Sequence, residues 1–261
     1  MTDEPETKDQ LIYLINVCEK ARRFDDMVEA MKKLIKLDLN LGLDDRVSLA
    51  VAYKGAMSSR RSSWRMLVSI EERTGPEMNE RQHQVEPTST FGGPGGTFSV
   101  MESYREHVQN ELVTICQELL TCINEMLFPK ATDPEPKVFY LKMKADYYRY
   151  MAEVATDADR SGVVELAKGA YQEAMEIATS KIAAINPTRL GLALNFSVFN
   201  FEILKSVDEA RKVAQKAIDL AQAEIATLTV PLADDASINL RMMRENMELW
   251  TPEGGSHTKT T

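Results

Sequence analysis

The chain has 261 residues and a formal net charge of −9, from 31 Lys and Arg against 40 Asp and Glu. Its 44% hydrophobic and 27% charged residues predict an ordered protein with a sizeable core, and its acidic balance argues against general nucleic-acid binding. No apolar run reaches the roughly 18 residues of a membrane span, and the N-terminal "MTDEPETKDQ" lacks the features of a signal peptide, so a cytoplasmic protein is predicted.

The first half of the chain predicts three helices and a loop. Apolar residues recur at steps of three and four over residues 9–21 and 27–37, the spacing of amphipathic helices. Asp44 or Asp45 is a suitable N-cap for a long third helix that carries residues 46–75. Because the segment 74–98 contains a run of glycines and prolines, we expect it to form a flexible loop.

The second half predicts six further helices separated by short breaks, one of them at "DADRSG", and a disordered tail over 252–261. The helices are expected near residues 100–129, 137–155, 163–180, 188–206, 207–229 and 234–250. No strand is indicated, so the fold class is all-α with about nine helices. Connections this short predict antiparallel helical hairpins, resembling a TPR-like array, with a concave face suited to binding. One domain, residues 1–251, is therefore expected.

Two cationic clusters are candidates for binding an anion. Lys54 and Arg61 are seven residues apart on the predicted third helix, so they share a face and lie about 10 Å apart along the axis. Arg149 and Tyr150 form the second cluster, in which a planar guanidinium matches phosphate oxygens and a hydroxyl adds a neutral donor. For Lys54 and Arg61 the alternative is a solvated cationic strip paired with glutamates. For the tyrosine of the second cluster the alternative is a core aromatic residue.

Two asparagines lie within predicted helices beside apolar neighbours. Asn195 shares one side of its helix with Leu194, Val198 and Glu202, and Asn246 recurs at steps of four with Met242 and Trp250. A buried asparagine must satisfy several hydrogen bonds, so such a pair could clamp an extended peptide backbone. The alternative, a surface asparagine on each helix, stays open at this point.

Four segments closely resemble signature segments of the 14-3-3 family: "VAYKGAMSSRRSSWRMLVSIEE", "KVFYLKMKADYYRYMAEVA", "RLGLALNFSVFNFEIL" and "RENMELW". The resemblance runs in unbroken order from about Gln10 to Trp250, except for the glycine-rich segment, which marks the chain as a divergent member with an insertion between the third and fourth helices. It implies a right-angled, cup-shaped protomer of nine helices, a homodimer, and binding of phosphoserine or phosphothreonine peptides in an amphipathic groove. It implies neither catalysis nor a cofactor.

Carried over residue by residue, the resemblance assigns phosphate binding to four residues: Lys54, Arg61, Arg149 and Tyr150. It assigns the peptide-binding groove to a larger set: Asn195, Asn246, Glu202, Lys142, Leu194, Val198, Met242, Trp250, Val51 and Ile238. At the dimer interface it implies salt bridges between Arg23 and Glu111 and between Asp26 and His107. The other expected interface residues are Val17, Ala21, Ser63, Leu67 and Tyr104.

Three function classes follow from these observations. The first is a regulatory adaptor that captures phosphorylated proteins as a homodimer or as a heterodimer with a paralogue. The second is a helical-repeat scaffold that binds unphosphorylated peptides on the same concave face. An enzyme is the third, but the histidines form no metal-ligand spacing and no Ser-His-Asp set or glycine-rich phosphate loop can be assembled. Cys18, Cys116 and Cys122 contain no C-x-x-C pair and indicate neither a zinc site nor a disulfide framework.

Overall fold

The computed structural model describes residues 7–82, 94–227 and 231–250, with the backbone alone for the helical residues 74–82, 94–99 and 157. Within these ranges the chain forms nine α-helices and no strand, which confirms the predicted all-α class. The helices are α1 (Lys8–Lys20), α2 (Phe24–Leu37), α3 (Leu43–Gln82), α4 (Pro94–Cys122), α5 (Pro134–Val154), α6 (Asp157–Lys181), α7 (Pro187–Glu202), α8 (Val207–Ile225) and α9 (Asp234–Leu249). A π-helical turn (Ile123–Leu127) and a 3₁₀ turn (Phe128–Lys130) follow α4.

Helix starts follow local capping chemistry. At α1 the Thr7 hydroxyl accepts a hydrogen bond from the Gln10 amide at 3.3 Å, and the Gln10 side chain accepts one from the Thr7 amide at 2.8 Å. This reciprocal capping box satisfies two backbone donors that the helix itself cannot pair. At α7 the Asn186 side chain accepts from the amides of Thr188 and Arg189, and Pro187 occupies the first helical position.

Helix α6 begins earlier than the sequence analysis predicts. The expected break at "DADRSG" is wrong, because these residues form the first turns of α6. Thr156 takes the extended N-cap conformation, and its hydroxyl donates to the Asp159 carboxylate at 3.0 Å. A carboxylate in the first turn also interacts favourably with the helix dipole, which offsets the modest helix propensity of Asp and Gly.

Both ends of the predicted glycine-rich loop are helical in the structure. Helix α3 continues to Gln82 and α4 begins at Pro94, so both helices extend into the segment 74–98 that was assigned to a loop. The sequence "EMNERQ" near the end of α3 is rich in good helix formers, and proline is well tolerated at a first helical position. Residues 83–93 and the predicted tail 252–261 lie outside the described residues.

The helices group into two compact units, residues 1–121 and residues 122–261. In the first unit α2 packs against both α1 and α3. Its core includes Leu11, Ile15, Met27, Met31, Leu34, Leu49, Tyr53, Met57 and Leu112, each at most 2% exposed.

The second unit is built around α7, which packs against helices on two sides. One apolar cluster joins it to α5 and α6 around Tyr171 and Phe199, and another joins it to α8 and α9. In the latter cluster Ala210, Ala214 and Ala221 let α8 approach closely because alanine carries only a methyl group. Among the described helices, none combines the length and the apolar character needed to cross a bilayer.

Candidate functional site

The second unit holds a buried charged cluster on one face of α5. Lys142, Asp146, Arg149 and Glu153 succeed one another at steps of three and four residues, so the helix aligns their side chains along one side. Asp146 and Arg149 are each 6% exposed. Two opposite charges buried this deeply require partners, because an unpaired charge in the protein interior is costly.

Asp146 is the centre of this cluster. Its carboxylate accepts hydrogen bonds from the Tyr171 hydroxyl at 2.5 Å, the Lys142 ammonium at 2.8 Å and the Asn195 side-chain amide at 2.8 Å. The donors come from α5, α6 and α7, so one carboxylate ties three helices together. The predicted peptide residues Lys142 and Asn195 are therefore held by the same group.

Arg149 lies beside this carboxylate with a loose set of ion pairs. Its Nε donates to the Tyr171 oxygen at 3.3 Å, and its guanidinium carbon lies 4.7 Å above the centre of the Tyr150 ring. The Nη atoms approach Asp146 at 3.9 Å, Glu153 at 3.5 Å and Glu202 at 3.8 Å. These distances exceed the 2.7–2.9 Å typical of charge-assisted hydrogen bonds, so the terminal nitrogens are positioned but not strongly engaged.

Neighbouring charges determine the ionisation of the cluster. Burial by itself would raise the pKa of Asp146, but the Lys142 and Arg149 cations outweigh it and hold that pKa below its ordinary value. Burial would lower the pKa of Arg149, yet Tyr171, Tyr150 and Asp146 keep it above its ordinary value. Burial, aided by Asp146, raises the pKa of Tyr171. At neutral pH the cluster thus combines a fixed guanidinium, a carboxylate and a neutral phenol.

The predicted apolar wall divides into buried and exposed members. Met242 and Ile238 on α9 are each 43% exposed and can contact a ligand. Leu194 and Trp250 instead belong to the core cluster of α7, α8 and α9, and Val198 packs against that cluster. Trp250 is 5% exposed because its ring stacks on Phe201 with centroids 5.0 Å apart, so little of its surface is available to a peptide.

The end of α9 is held by a residue that the sequence analysis did not select. The Arg211 guanidinium on α8 donates to the backbone oxygens of Met247 at 2.8 Å and Trp250 at 3.3 Å. These carbonyls belong to the last turn of a helix, where no intrahelical donor remains for them. Arg211 thus fixes the turn that carries the half-buried Asn246.

The remaining predicted phosphate ligands lie on α3 in the first unit. Lys54 is exposed and Arg61 is half-buried. Lys54 and the half-buried Val51 line one open cleft, together with Phe24 at the start of α2. Lys54 is therefore accessible from solvent within the first unit.

The charged residues expected at a dimer interface have partners within their own chain. Arg23 pairs with Asp26 at 2.7 Å, and His107 lies 3.1 Å from Glu111. Arg60 reaches both Glu111 at 3.0 Å and Asp25 at 2.9 Å. The predicted bridges between subunits would therefore have to replace contacts that exist inside one chain.

The other expected interface residues lie near the surface. Val17 is 43% exposed and Tyr104 is 57% exposed, and both are large apolar side chains on the first unit. Ala21 and Ser63 are also exposed, and Leu67 is half-buried. Apolar surface of this kind is a common feature of protein–protein contacts.

Sequence reasoning missed the two partners that complete the Arg149 site. Glu153 had a usable signal, since it follows Arg149 by four residues on the same helix. Tyr171 had no such signal in the sequence, because it lies on another helix and a tyrosine there could equally have been an ordinary core residue. Within the described residues, no group of three His, Cys, Asp or Glu side chains is arranged to hold a metal ion.

Comparison with known proteins finds one family and close relatives. The family model described as 14-3-3 protein matches residues 14–251. The chain is 43% identical over 249 residues to 14-3-3-like protein 2 of Caenorhabditis elegans, covering 95% of this chain and 94% of that protein. It is 44% identical to 14-3-3 protein zeta of Bombyx mori, covering 94% and 93%, and 42% identical to 14-3-3 protein beta/alpha-B of Xenopus laevis, covering 94% of each.

Proposed function

The chain belongs to the 14-3-3 family, and from this membership we propose that it is a dimeric regulatory adaptor for phosphorylated proteins. It binds phosphoserine or phosphothreonine segments of its partners and so masks, bridges or reshapes them. No catalytic step or cofactor forms part of this proposal. A homodimer would bind two segments at once and gain affinity from their linkage, and pairing with a paralogue is a variation of the same mechanism.

The observation that carries this proposal is the state of Arg149. A buried guanidinium, kept cationic and oriented by Tyr171 and the Tyr150 ring, has terminal nitrogens whose ion pairs with the described residues are 3.5 Å or longer. The oxygens of a phosphate dianion can form hydrogen bonds with these nitrogens at the shorter distances typical of charge-assisted pairs. The planar guanidinium of arginine can bind two phosphate oxygens at once. The Tyr150 hydroxyl would add a neutral donor.

The other roles follow the family resemblance. We assign Lys54 and Arg61 to the phosphate as further cations, and Asn195 and Asn246 to the peptide main chain. Glu202 and Lys142 support the polar side of the groove, since Glu202 contacts Arg149 and Lys142 contacts Asp146. Met242 and Ile238, the exposed members of the apolar set, contact side chains beside the phosphoresidue.

The experiment is fluorescence-polarisation binding of an Arg-Ser-x-phosphoSer-x-Pro peptide and its unphosphorylated twin. We expect micromolar or tighter binding of the phosphopeptide, about −8 kcal/mol, and at least hundredfold weaker binding of the twin. Lys54→Gln should weaken phosphopeptide binding about tenfold to hundredfold, because a charge-assisted contact contributes about 1.5–3 kcal/mol. Arg149→Lys should have a similar effect while keeping a positive charge in the buried cluster.

The matched control is Lys20→Gln, which removes one exposed lysine from α1. It should leave phosphopeptide affinity within about twofold of wild type. Equal binding of the two peptides, or equal effects of Lys20→Gln and Lys54→Gln, would overturn the phosphate mechanism and favour the scaffold for unphosphorylated peptides.

A further inference from the structure

The second unit contains an apolar cavity that plays no part in the proposed phosphopeptide site. It has a volume of about 200 Å³ and lies between α6, α7 and α8. Its apolar lining includes Met175, Leu190, Phe196, Val213 and Leu220. Leu220 is 40% exposed, so a large apolar side chain stands at the edge of the opening.

Small residues keep this cavity open. Ala193 on α7 and Ala217 on α8 both line it, and each ends in a single methyl group where a larger side chain would fill the space. The exposed residues Lys212, Lys216 and Leu220 stand at its border, so a ligand can enter this apolar space from the solvent. An apolar cavity of about 150 Å³ is large enough to bind benzene, so this one can hold an aromatic ring or a short acyl chain.

Three cations border the apolar space: Arg189, Lys212 and Lys216. The half-buried Arg189 donates through Nη1 to the Ile182 carbonyl, and no carboxylate of the described residues lies within 4.0 Å of its guanidinium. Lys216 likewise has no carboxylate within that distance in the described part of the chain, whereas Lys212 pairs with Glu209 at 3.2 Å. The border thus combines the Lys212–Glu209 ion pair with two cations that form no ion pair with the described residues, although the Glu224 carboxylate interacts with Arg189 at longer range.

We propose that this cavity binds a small organic carboxylate, with its ring or short acyl chain in the apolar space and its carboxylate at Arg189 and Lys216. The apolar lining favours the body of such a ligand through the hydrophobic effect. The cations select an anion over a neutral or cationic molecule of the same shape, because charge-assisted hydrogen bonds are about twice as strong as neutral ones.

The test is methyl NMR of the full-length protein labelled with ¹³C at the methionine methyl groups. The probe is 3-phenylpropanoate, and the neutral comparison is 3-phenylpropanamide. We expect the Met175 methyl signal to shift in a saturable way with a dissociation constant of about 1 mM or below. The Met242 signal on α9 should not move, and the amide should bind at least tenfold more weakly.

Variants connect the binding to the cavity. Lys216→Met should weaken 3-phenylpropanoate binding at least fivefold, whereas Lys181→Met, which removes an exposed lysine outside the lining, should not change it. Ala217→Phe should abolish the Met175 shift by filling the cavity. Because Lys216 is exposed, its replacement keeps the test valid even if the phenylalanine variant does not fold.

Three results would overturn the proposal: equal binding of carboxylate and amide, a shift at Met242 in place of Met175, or equal effects of Lys216→Met and Lys181→Met. Phosphopeptide binding is not part of this readout. The cavity proposal can therefore fail while the proposed adaptor function stands, and the reverse also holds.

Discussion

Asp146 shows how a single residue can organise a binding site. One buried carboxylate receives hydrogen bonds from a lysine, a tyrosine and an asparagine, and it lies beside the arginine that we assign to phosphate. Such a network is favourable when every member is satisfied, and it becomes costly when one member is removed. Asp146 thus positions Lys142 and Asn195 without having to touch a ligand.

We predict that Asp146→Asn lowers the free energy of unfolding by about 3 kcal/mol at pH 7. The folded pKa of Asp146 lies below its ordinary value of 3.8. The ionised carboxylate therefore contributes its full stability above the unfolded pKa and loses it as pH falls through the folded pKa. The difference between wild type and Asp146→Asn should narrow as the pH is lowered below about 4.

Urea unfolding at a series of pH values measures this difference. Glu173→Gln is the matched control, because Glu173 is an exposed carboxylate two residues from Tyr171 on α6. It should change stability by less than about 0.5 kcal/mol. A gap between Asp146→Asn and wild type that stays constant from pH 7 to pH 3 would contradict the assigned pKa direction.

At the scale of elements, the contact between α2 and α3 depends on a glycine. A Cβ atom built on Gly55 would lie 2.2 Å from Cγ of Phe24. The contact is near the root of the Phe24 side chain, so the ring cannot simply swing its far end away. Because Gly55 has no side chain, Phe24 at the start of α2 can pack directly against α3, the helix that carries Lys54.

We predict that Gly55→Ala destabilises the protein by about 1–3 kcal/mol, because the added methyl group overpacks the Phe24 contact. Gly169→Ala is the matched control in α6, where a new Cβ meets no atom within 4 Å. It should stabilise the protein by about 0.5–1 kcal/mol through the better helix propensity of alanine. Thermal or urea unfolding measures both changes, and a stabilising Gly55→Ala would show that α2 moves aside without cost.

At the scale of the whole molecule, the proposed dimer depends on the exposed apolar residues of the first unit. Charge pairs contribute less, since Arg23, Asp26, His107 and Glu111 already have partners within the chain. Exchanging one exposed ion pair for another releases little free energy, and such pairs contribute about 0–1 kcal/mol in any case. Burial of side chains such as Val17 and Tyr104 is the stronger contribution that we expect.

We predict that Ser63→Glu raises the dimer dissociation constant at least tenfold, because it would place a negative charge in the proposed interface. Arg60 and Arg61 precede Ser63, a context that basic-directed kinases favour, so phosphorylation of Ser63 would act in the same direction. Sedimentation velocity over a nanomolar to micromolar range measures the constant. The control is Ser69→Glu, which changes an exposed serine farther along α3 and should leave the dimer dissociation constant unchanged. A Ser63→Glu protein that stays fully dimeric at nanomolar concentration would count against the proposed interface.

The sequence by itself determined the all-α fold class, the positions of most helices and the candidate binding residues. These properties are local: apolar spacing within one segment reveals a helix face, and the arginine beside Tyr150 is visible without any knowledge of its neighbours. The earlier start of α6 is also a local matter, since a threonine at the N-cap position followed three residues later by an aspartate is a pattern visible in the sequence. Helix ends are where such weak local preferences compete most closely.

Only the tertiary structure decided which side chains meet. It placed Tyr171 against Arg149 and Asp146, and it paired Arg60 with Glu111, 51 positions away in the chain. It also buried Trp250 against Phe201 and left a cavity beside Ala193 and Ala217. Contacts between helices depend on the packing of many side chains at once, so the spacing of residues along one helix cannot specify its partners on another.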